Sequence, residues 1–188
     1  MSQSYLEIIV GPMFSGKTTR LVNLYNQYIR ENKKVCVINY SDDKRYHDTM
    51  LSTHDKVMIP CIFTNKIGDV WESILKSEII LINEGQFFTD LYEEVFKMIE
   101  IDGKKVHICG LDGDFLRKKF GNLSDLLPLC DEVIKLKAKC NICNQSAIFS
   151  HRITSEKQQI VIGSDNYIPL CRKCYNNENK KLFCKYII

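Results

Sequence analysis

Residues 11–18, Gly11-Pro12-Met13-Phe14-Ser15-Gly16-Lys17-Thr18, fit the pattern G-x-x-x-x-G-K-[ST] at every position. Such a loop turns tightly at its glycines and points backbone N–H groups at phosphate oxygens, helped by the positive end of the helix that follows. In that setting Lys17 reaches the outer phosphates, and Thr18 offers its hydroxyl to a bridging magnesium ion. A second chemical group is Glu84, which with Asn83 follows the apolar run Ile79-Ile80-Leu81-Ile82. A strand that ends this way carries a carboxylate to the sheet edge beside bound phosphate and magnesium. A third is a pair of knuckles, Cys140-Asn141-Ile142-Cys143 and Cys171-Arg172-Lys173-Cys174, with 27 residues between them. Four thiolates complete a tetrahedral zinc site and leave no position for water, so the zinc they predict is structural. Finally, residues 110–121 mix glycines, cations and aromatics. Phe115 and Phe120 could sandwich a planar, partly polar ligand there while backbone groups read its edge; a mobile basic loop is the other reading.

These groups need elements to hold them. Residues 6–10 read as a buried strand running into the phosphate loop, and Leu21, Leu24, Tyr25, Tyr28 and Ile29 recur at helical spacing behind Lys17. The basic pair Lys33-Lys34 closes that helix. Residues 35–38, 79–82 and 106–109 are short apolar runs of the kind buried on both faces of a parallel sheet, and 132–136 supplies its last strand. Residues 59–63 suggest a further strand, and residues 69–75 a short helix with Val70, Trp71, Ile74 and Leu75 on one face. Asp90 and Glu93 resemble a capping box for a helix carrying Leu91, Val95, Met98 and Ile99, which Gly103 stops. Residues 41–56 are polar without periodicity and read equally as a functional loop or a solvated one. The division expected is a phosphate-loop α/β domain over 1–137, a zinc ribbon over 138–178 and a solvated tail over 179–188.

The chain of 188 residues is 45% hydrophobic and 26% charged, with a net charge of +3, which is too small to imply a stable nucleic-acid partner. No signal peptide or membrane-length apolar run is apparent, so a cytoplasmic location with no membrane partner is expected. Nine cysteines, an odd number, argue against a closed disulfide framework and for metal ligation. Cys36, Cys61, Cys109, Cys130 and Cys184 read as small buried hydrophobes or incidental thiols.

Taken in order, the phosphate loop with Thr19, Arg45-Tyr46, Thr53-His54-Asp55, Glu84-Gly85-Gln86-Phe87-Phe88, Leu111-Asp112-Gly113 and Cys171-Arg172-Lys173-Cys174-Tyr175 resemble the type II, zinc-containing thymidine kinases over about residues 5–175. The resemblance implies a RecA-like core, ATP-dependent phosphorylation of the thymidine 5′-hydroxyl, feedback inhibition by thymidine triphosphate, and a homotetramer or homodimer. Carried over by position, Glu84 is the general base, and Arg45 and Lys17 stabilise phosphate charge. Residues 111–120 form a lasso over thymidine, beginning at Leu111. Phe87, Phe115, Phe120 and Tyr167 surround the base and sugar, Met13 and Ser150 sense the pyrimidine 5-position, and Val161, Ile162 and Gly163 line the same pocket. The family usually has Asp-Glu where this chain has Asn83-Glu84, so a neutral amide faces the magnesium-bound water. Lys119 replaces a frequent proline, and Asp114 a small hydroxyl residue. Two rival readings are an ATP-dependent nucleic-acid motor and a non-catalytic nucleotide-binding relative, the latter suggested by Asn83.

Overall fold

The computed structural model describes residues 3–41, 50–52, 57–161 and 163–180. In chain order the elements are β1 (Tyr5–Val10), α1 (Lys17–Arg30), β2 (Val35–Tyr40), β3 (Met50–Ser52), β4 (Met58–Pro60), β5 (Ile62–Thr64), α2 (Trp71–Leu75), β6 (Ile79–Ile82), α3 (Leu91–Phe96), β7 (Lys105–Gly110), β8 (Glu132–Lys135), β9 (Ala138–Lys139), β10 (Ser146–Ala147), β11 (Phe149–Arg152), β12 (Tyr167–Leu170) and α4 (Arg172–Glu178).

Six strands form one parallel sheet in the order β5-β2-β6-β7-β1-β8, with β7 inserted between the strand that feeds the phosphate loop and the strand that delivers Glu84. Ile8 pairs with Ile108 and Ile38 with Ile82, so the apolar runs lie in register. Strand alternation sends Leu6, Ile8, Ile38, Ile80, Ile82, Val106 and Ile108 to the face covered by α2 and α3. Ile9, Val37, Ile79, Leu81 and Cys109 go to the other face, beneath Leu21 and Val22 of α1. Both faces are covered, which is why the inner strands are apolar at most positions. β8, at the edge, carries charged residues and is largely exposed, as an unpaired edge requires.

One polar network interrupts the α1 face. Glu7 and His107, paired in register on β1 and β7, lie 2.7 Å apart through Oε2 and Nδ1; Arg20 donates to Glu7 Oε1 at 2.8 Å, and His107 Nε2 lies 2.9 Å from the Tyr28 hydroxyl. The helix behind the phosphate loop is thus fastened to the sheet by hydrogen bonds as well as by packing.

Several local expectations are corrected. The apolar stretch at 59–63 is two strands in different sheets: β4 pairs antiparallel with β3, inside the segment read as an irregular loop, and β5 joins the main sheet. The hairpin lays Leu51 and Ile59 on the α1 face, so its burial comes from long-range packing. Asp90 holds the N-cap position of α3, but its side chain makes no cap hydrogen bond; Oδ2 instead accepts the Gly68 N–H at 3.0 Å, a tertiary contact that wins over the local one. α3 continues as a π-helical turn at Lys97–Ile101. Leu75 is 52% exposed and Ile29 is also exposed, since each lies past the stripe its helix buries. The chain after Tyr175 continues in α4 to Glu178.

Around the cysteine knuckles the strands form two small antiparallel sheets, β9 with β10 and β11 with β12. Among the described residues, no helix is long and apolar enough to cross a membrane.

Candidate active site

The phosphate loop leaves β1 at Gly11, where φ is 153° and an added Cβ would lie 2.6 Å from the Leu136 carbonyl oxygen, so only glycine fits beside the chain leaving β8. Gly16 caps α1 with no side-chain hydrogen bond, and the first turn of α1 carries no acidic residue. The helix therefore presents its first N–H groups and its positive end to the loop uncompensated, which suits an anion. Lys17 is 8% exposed and folds back to donate to the carbonyls of Gly11 at 3.1 Å and Pro12 at 2.8 Å, holding its ammonium against the loop. The Ser15 hydroxyl is buried without a hydrogen-bond partner. A phosphate oxygen in the cradle would satisfy it, so the loop's own chemistry fits a polyphosphate ligand.

Behind the loop, the Thr18 hydroxyl lies 3.5 Å from Asn83 Oδ1, which brings together the two residues expected around magnesium. Asn83 is 1% exposed and hydrogen-bonded at both ends of its amide: Nδ2 donates to Asn39 Oδ1 at 2.7 Å, and Oδ1 accepts the Cys109 thiol at 2.9 Å. One lone-pair direction of Oδ1 faces Thr18, so metal-bound water could take that acceptor as the Thr18 hydroxyl turns to a cation. The donor set is neutral.

Glu84 adopts φ 56° and ψ 42° at the start of a 3₁₀ turn, Gly85–Phe87, a left-handed conformation that is costly for a residue with a side chain. It swings the carboxylate out of the line of β6. Glu84 Oε2 accepts Gln86 Nε2 at 2.6 Å, and Gln86 Oε1 accepts the Leu111 N–H at 3.0 Å, so one buried amide joins the carboxylate to the start of the 111–120 loop. At the loop's end Gly121 passes so close that a Cβ would lie 2.0 Å from the Gln86 carbonyl oxygen. Gln86 belongs to the Glu-Gly-Gln-Phe-Phe run, yet its bridging role shows only in three dimensions.

Asp114 staples the 111–120 loop. Its Oδ1 accepts the N–H groups of Leu116 at 2.9 Å and Lys118 at 2.8 Å, and its Oδ2 accepts Gln159 Nε2 at 2.9 Å. Lys119 pairs with Asp125 at 2.6 Å. Phe120 meets Phe87 edge-on at 5.4 Å, and Phe87 stacks on Tyr40 at 5.1 Å. Phe115 instead carries the Arg152 guanidinium on its face, 3.8 Å from the ring centroid. The Tyr167 hydroxyl donates to the Val161 carbonyl at 3.3 Å. Ser150, on β11, accepts the Met13 N–H at 3.0 Å, so the phosphate loop and the cysteine-rich segment touch directly. Gly163 lies beyond Val161 in left-handed backbone. Arg45, Ile162, the Arg45-Tyr46 and Thr53-His54-Asp55 motifs, Cys184 and the last eight residues lie outside the described residues.

The sulfurs of Cys140, Cys143, Cys171 and Cys174 all lie within 4.8 Å of one another, and those of Cys143 and Cys171 are 3.6 Å apart. Tetrahedral zinc with bonds of about 2.3 Å requires sulfurs about 3.8 Å apart, so the cluster fits a structural zinc ion. Burial pushes the Cys140 thiol up, but backbone N–H groups of Cys171, Cys143 and Ile142 outweigh it and bring it to about 6. Burial, then hydrogen bonds to the other three sulfurs, push Cys174 up to about 12. Four sulfurs so close cannot all ionise without a cation among them.

A family model described as thymidine kinase matches residues 4–175. The chain is 43% identical over 176 residues to thymidine kinase of Variola virus, covering 93% of this chain and 98% of that one. It is 40% identical to thymidine kinase of Sheeppox virus, with the same coverage, and 39% identical to thymidine kinase a of Arabidopsis thaliana, covering 90% of this chain and 74% of the plant protein. Domain III of the Thermotoga maritima replication initiation protein DnaA superposes with a TM-score of 0.43 at 20% identity over 70% of this chain and 54% of that one, a likeness too slight to bear on function. With a phosphate loop, a carboxylate at the end of β6 and a four-cysteine cluster in one fold, and with matches that run nearly end to end, the chain belongs to the thymidine kinase family.

Proposed function

We propose that the protein transfers the γ-phosphoryl group of ATP to the 5′-hydroxyl of thymidine, giving thymidine monophosphate and ADP. The observation that carries this reading is the Glu84–Gln86–Leu111 chain of hydrogen bonds, which couples a carboxylate next in sequence to Asn83, itself in contact with Thr18, to the loop that would close over a nucleoside. Glu84 accepts the 5′-hydroxyl proton as the oxygen bonds to the γ-phosphorus and the bond to the β,γ-bridging oxygen breaks. Loop N–H groups of residues 12–18, the Ser15 hydroxyl, Lys17 and Arg45 hold the polyphosphate and spread its charge; alignment and charge neutralisation are the main needs of this reaction. Thr18 and Asn83 would hold magnesium, which supplies Lewis-acid neutralisation of the phosphate oxygens when bound.

Phe87, Phe115, Phe120 and Tyr167 would enclose the base and sugar, with Met13 and Ser150 at the 5-position and backbone groups of Leu111, Val161, Ile162 and Gly163 along the Watson–Crick edge. The proposed division is a nucleotide-binding unit over 1–137, a zinc ribbon over 138–178 and a tail over 179–188. A cytoplasmic homotetramer or homodimer, inhibited by thymidine triphosphate, completes the reading.

The test offers purified protein ATP, magnesium and each deoxynucleoside in turn and follows monophosphate formation. Thymidine should be used best. Deoxyuridine, lacking only the methyl contact, should lose about 1–3 kcal/mol in kcat/KM. Deoxycytidine presents a donor where an acceptor is read and should be nearly excluded. Equal use of deoxycytidine would overturn the proposal.

A further inference from the structure

Arg152, the last residue of β11, is 5% exposed, and a buried guanidinium must find acceptors for its N–H groups. Its partners are carbonyls, a hydroxyl and two ring faces. Nη1 donates to the carbonyls of Glu156, at 3.1 Å, and Gln158; Nη2 donates to the Gln159 carbonyl at 2.9 Å and to the Tyr167 hydroxyl; Nε donates to the same hydroxyl at 3.2 Å. The guanidinium carbon stands 3.8 Å from the Phe115 centroid and 5.0 Å from that of Tyr167.

One cation thus holds three separate pieces of chain: a ring of the 111–120 loop, a ring and hydroxyl of β12, and the backbone carbonyls of 156–159. The last of these sets up a return link, because Gln159 sends Nε2 to Asp114 Oδ2 at 2.9 Å and to the Lys119 carbonyl at 3.2 Å. The Tyr167 hydroxyl that receives Arg152 also donates to the Val161 carbonyl at 3.3 Å. Removing the guanidinium would free Phe115, Tyr167 and the segment reaching Val161 together. A lysine could not replace it, since a point ammonium has neither the planar face to stack on Phe115 nor the forked donors to span three carbonyls and a hydroxyl.

We propose that Arg152 is a positioning residue of the nucleoside pocket, which fixes the closed arrangement of the 111–120 loop against the 156–161 segment, with Gln159 and Asp114 as its second tie. This rests on the thymidine-kinase reading above. It makes no contact with the phosphate loop a requirement, so its loss should fall on the nucleoside and not on ATP.

The test compares wild type, Arg152→Lys, Arg152→Met and Gln159→Ala in steady-state kinetics, with zinc content and thermal unfolding measured on the same samples. Both Arg152 variants should raise the KM for thymidine about 10- to 100-fold, as expected for loss of a desolvated cation–π contact and its hydrogen bonds. The KM for ATP, kcat at saturating thymidine and the zinc content should stay close to wild type. Gln159 is exposed, so Gln159→Ala should fold in any case and raise the thymidine KM about threefold, the loss of its two solvent-accessible hydrogen bonds to Asp114 and Lys119. In wild type, thymidine should slow trypsin cleavage at Arg117, Lys118 and Lys119, and in Arg152→Met that protection should disappear. Full thymidine affinity in Arg152→Lys, an unchanged thymidine KM in Gln159→Ala, or parallel losses in ATP KM, kcat and zinc would overturn the proposal. A wild-type protein that does not phosphorylate thymidine would instead overturn the functional reading on which it rests.

Discussion

The backbone N–H of Met13 donates a 3.0 Å hydrogen bond to the hydroxyl of Ser150, joining the phosphate loop to the first strand of the hairpin next to the cysteine cluster. Ser150 is buried, so the bond is shielded from water and an orphaned N–H would carry a desolvation cost of about 1–3 kcal/mol. The phosphate loop and the strand proposed to line the nucleoside pocket therefore share one contact.

Ser150→Ala should lower kcat/KM for both ATP and thymidine, by about 5- to 150-fold on this energy scale, whereas Ser150→Thr should keep most activity because it keeps the acceptor. Kinetics with each substrate varied in turn would decide it. An effect on thymidine alone would mean that the contact does not couple the two sides.

Glu84→Gln preserves shape and can still meet Gln86, but it cannot accept a proton. The expected loss is about 10²- to 10⁴-fold in kcat, with thymidine and ATP dissociation constants nearly unchanged. Single-turnover rates beside calorimetric binding would separate the two effects, and near-normal turnover would remove Glu84 from the base role.

Asn83→Asp would place a charge 3.5 Å from the Thr18 hydroxyl, and Asn39 can turn its amide to donate where it now accepts. The magnesium concentration for half-maximal activity should fall about tenfold or more, as a carboxylate attracts a hard cation more strongly than an amide does. A magnesium titration of both proteins reads this directly.

Cys174→Ser, or a strong chelator, should release one zinc per chain and loosen the β11–β12 hairpin, because metal binding and folding are coupled in such small units. Activity should drop with the metal, since β11 carries Ser150 and β12 carries Tyr167. Metal analysis paired with activity tests it; full turnover without metal would show the hairpin stands alone.

Glu7 governs an acid limb of stability. Burial pushes its carboxyl up, but hydrogen bonds from His107 and Arg20 outweigh that and hold it below the usual carboxylate range. A carboxylate lowered on folding contributes stability that is fully present above its unfolded value of about 4.3 and is lost as pH falls through the lowered one. Glu7→Gln should therefore cost about 2 kcal/mol at pH 7, and the gap in melting temperature should close on acidification below about pH 4. A gap constant from pH 7 to pH 3 would exclude this role.

Much of the protein was legible in the chain itself because the signals are local. The Gly11-to-Thr18 spacing, the apolar runs at 6–10, 35–38, 79–82 and 106–109, and the two C-x-x-C knuckles each need only neighbouring residues to declare a loop, a buried strand or half a metal site, and the fold contains all of them. Local signals failed where distant contacts set the outcome. The Asp90 side chain bonds Gly68 in place of its own helix, and residues 58–64 split between two sheets because Leu51 and Ile59 found the α1 face. The roles of Gln86 and Arg152 were also invisible. A glutamine between a glycine and a phenylalanine, or an arginine after a histidine, carries no pattern until the fold brings Leu111 and Glu84 to one, and Phe115, Tyr167 and three carbonyls to the other. Sequence determines which chemical groups are present and which short elements carry them; their meeting depends on burial, which obliges each buried polar group to find whatever partner the packed chain supplies.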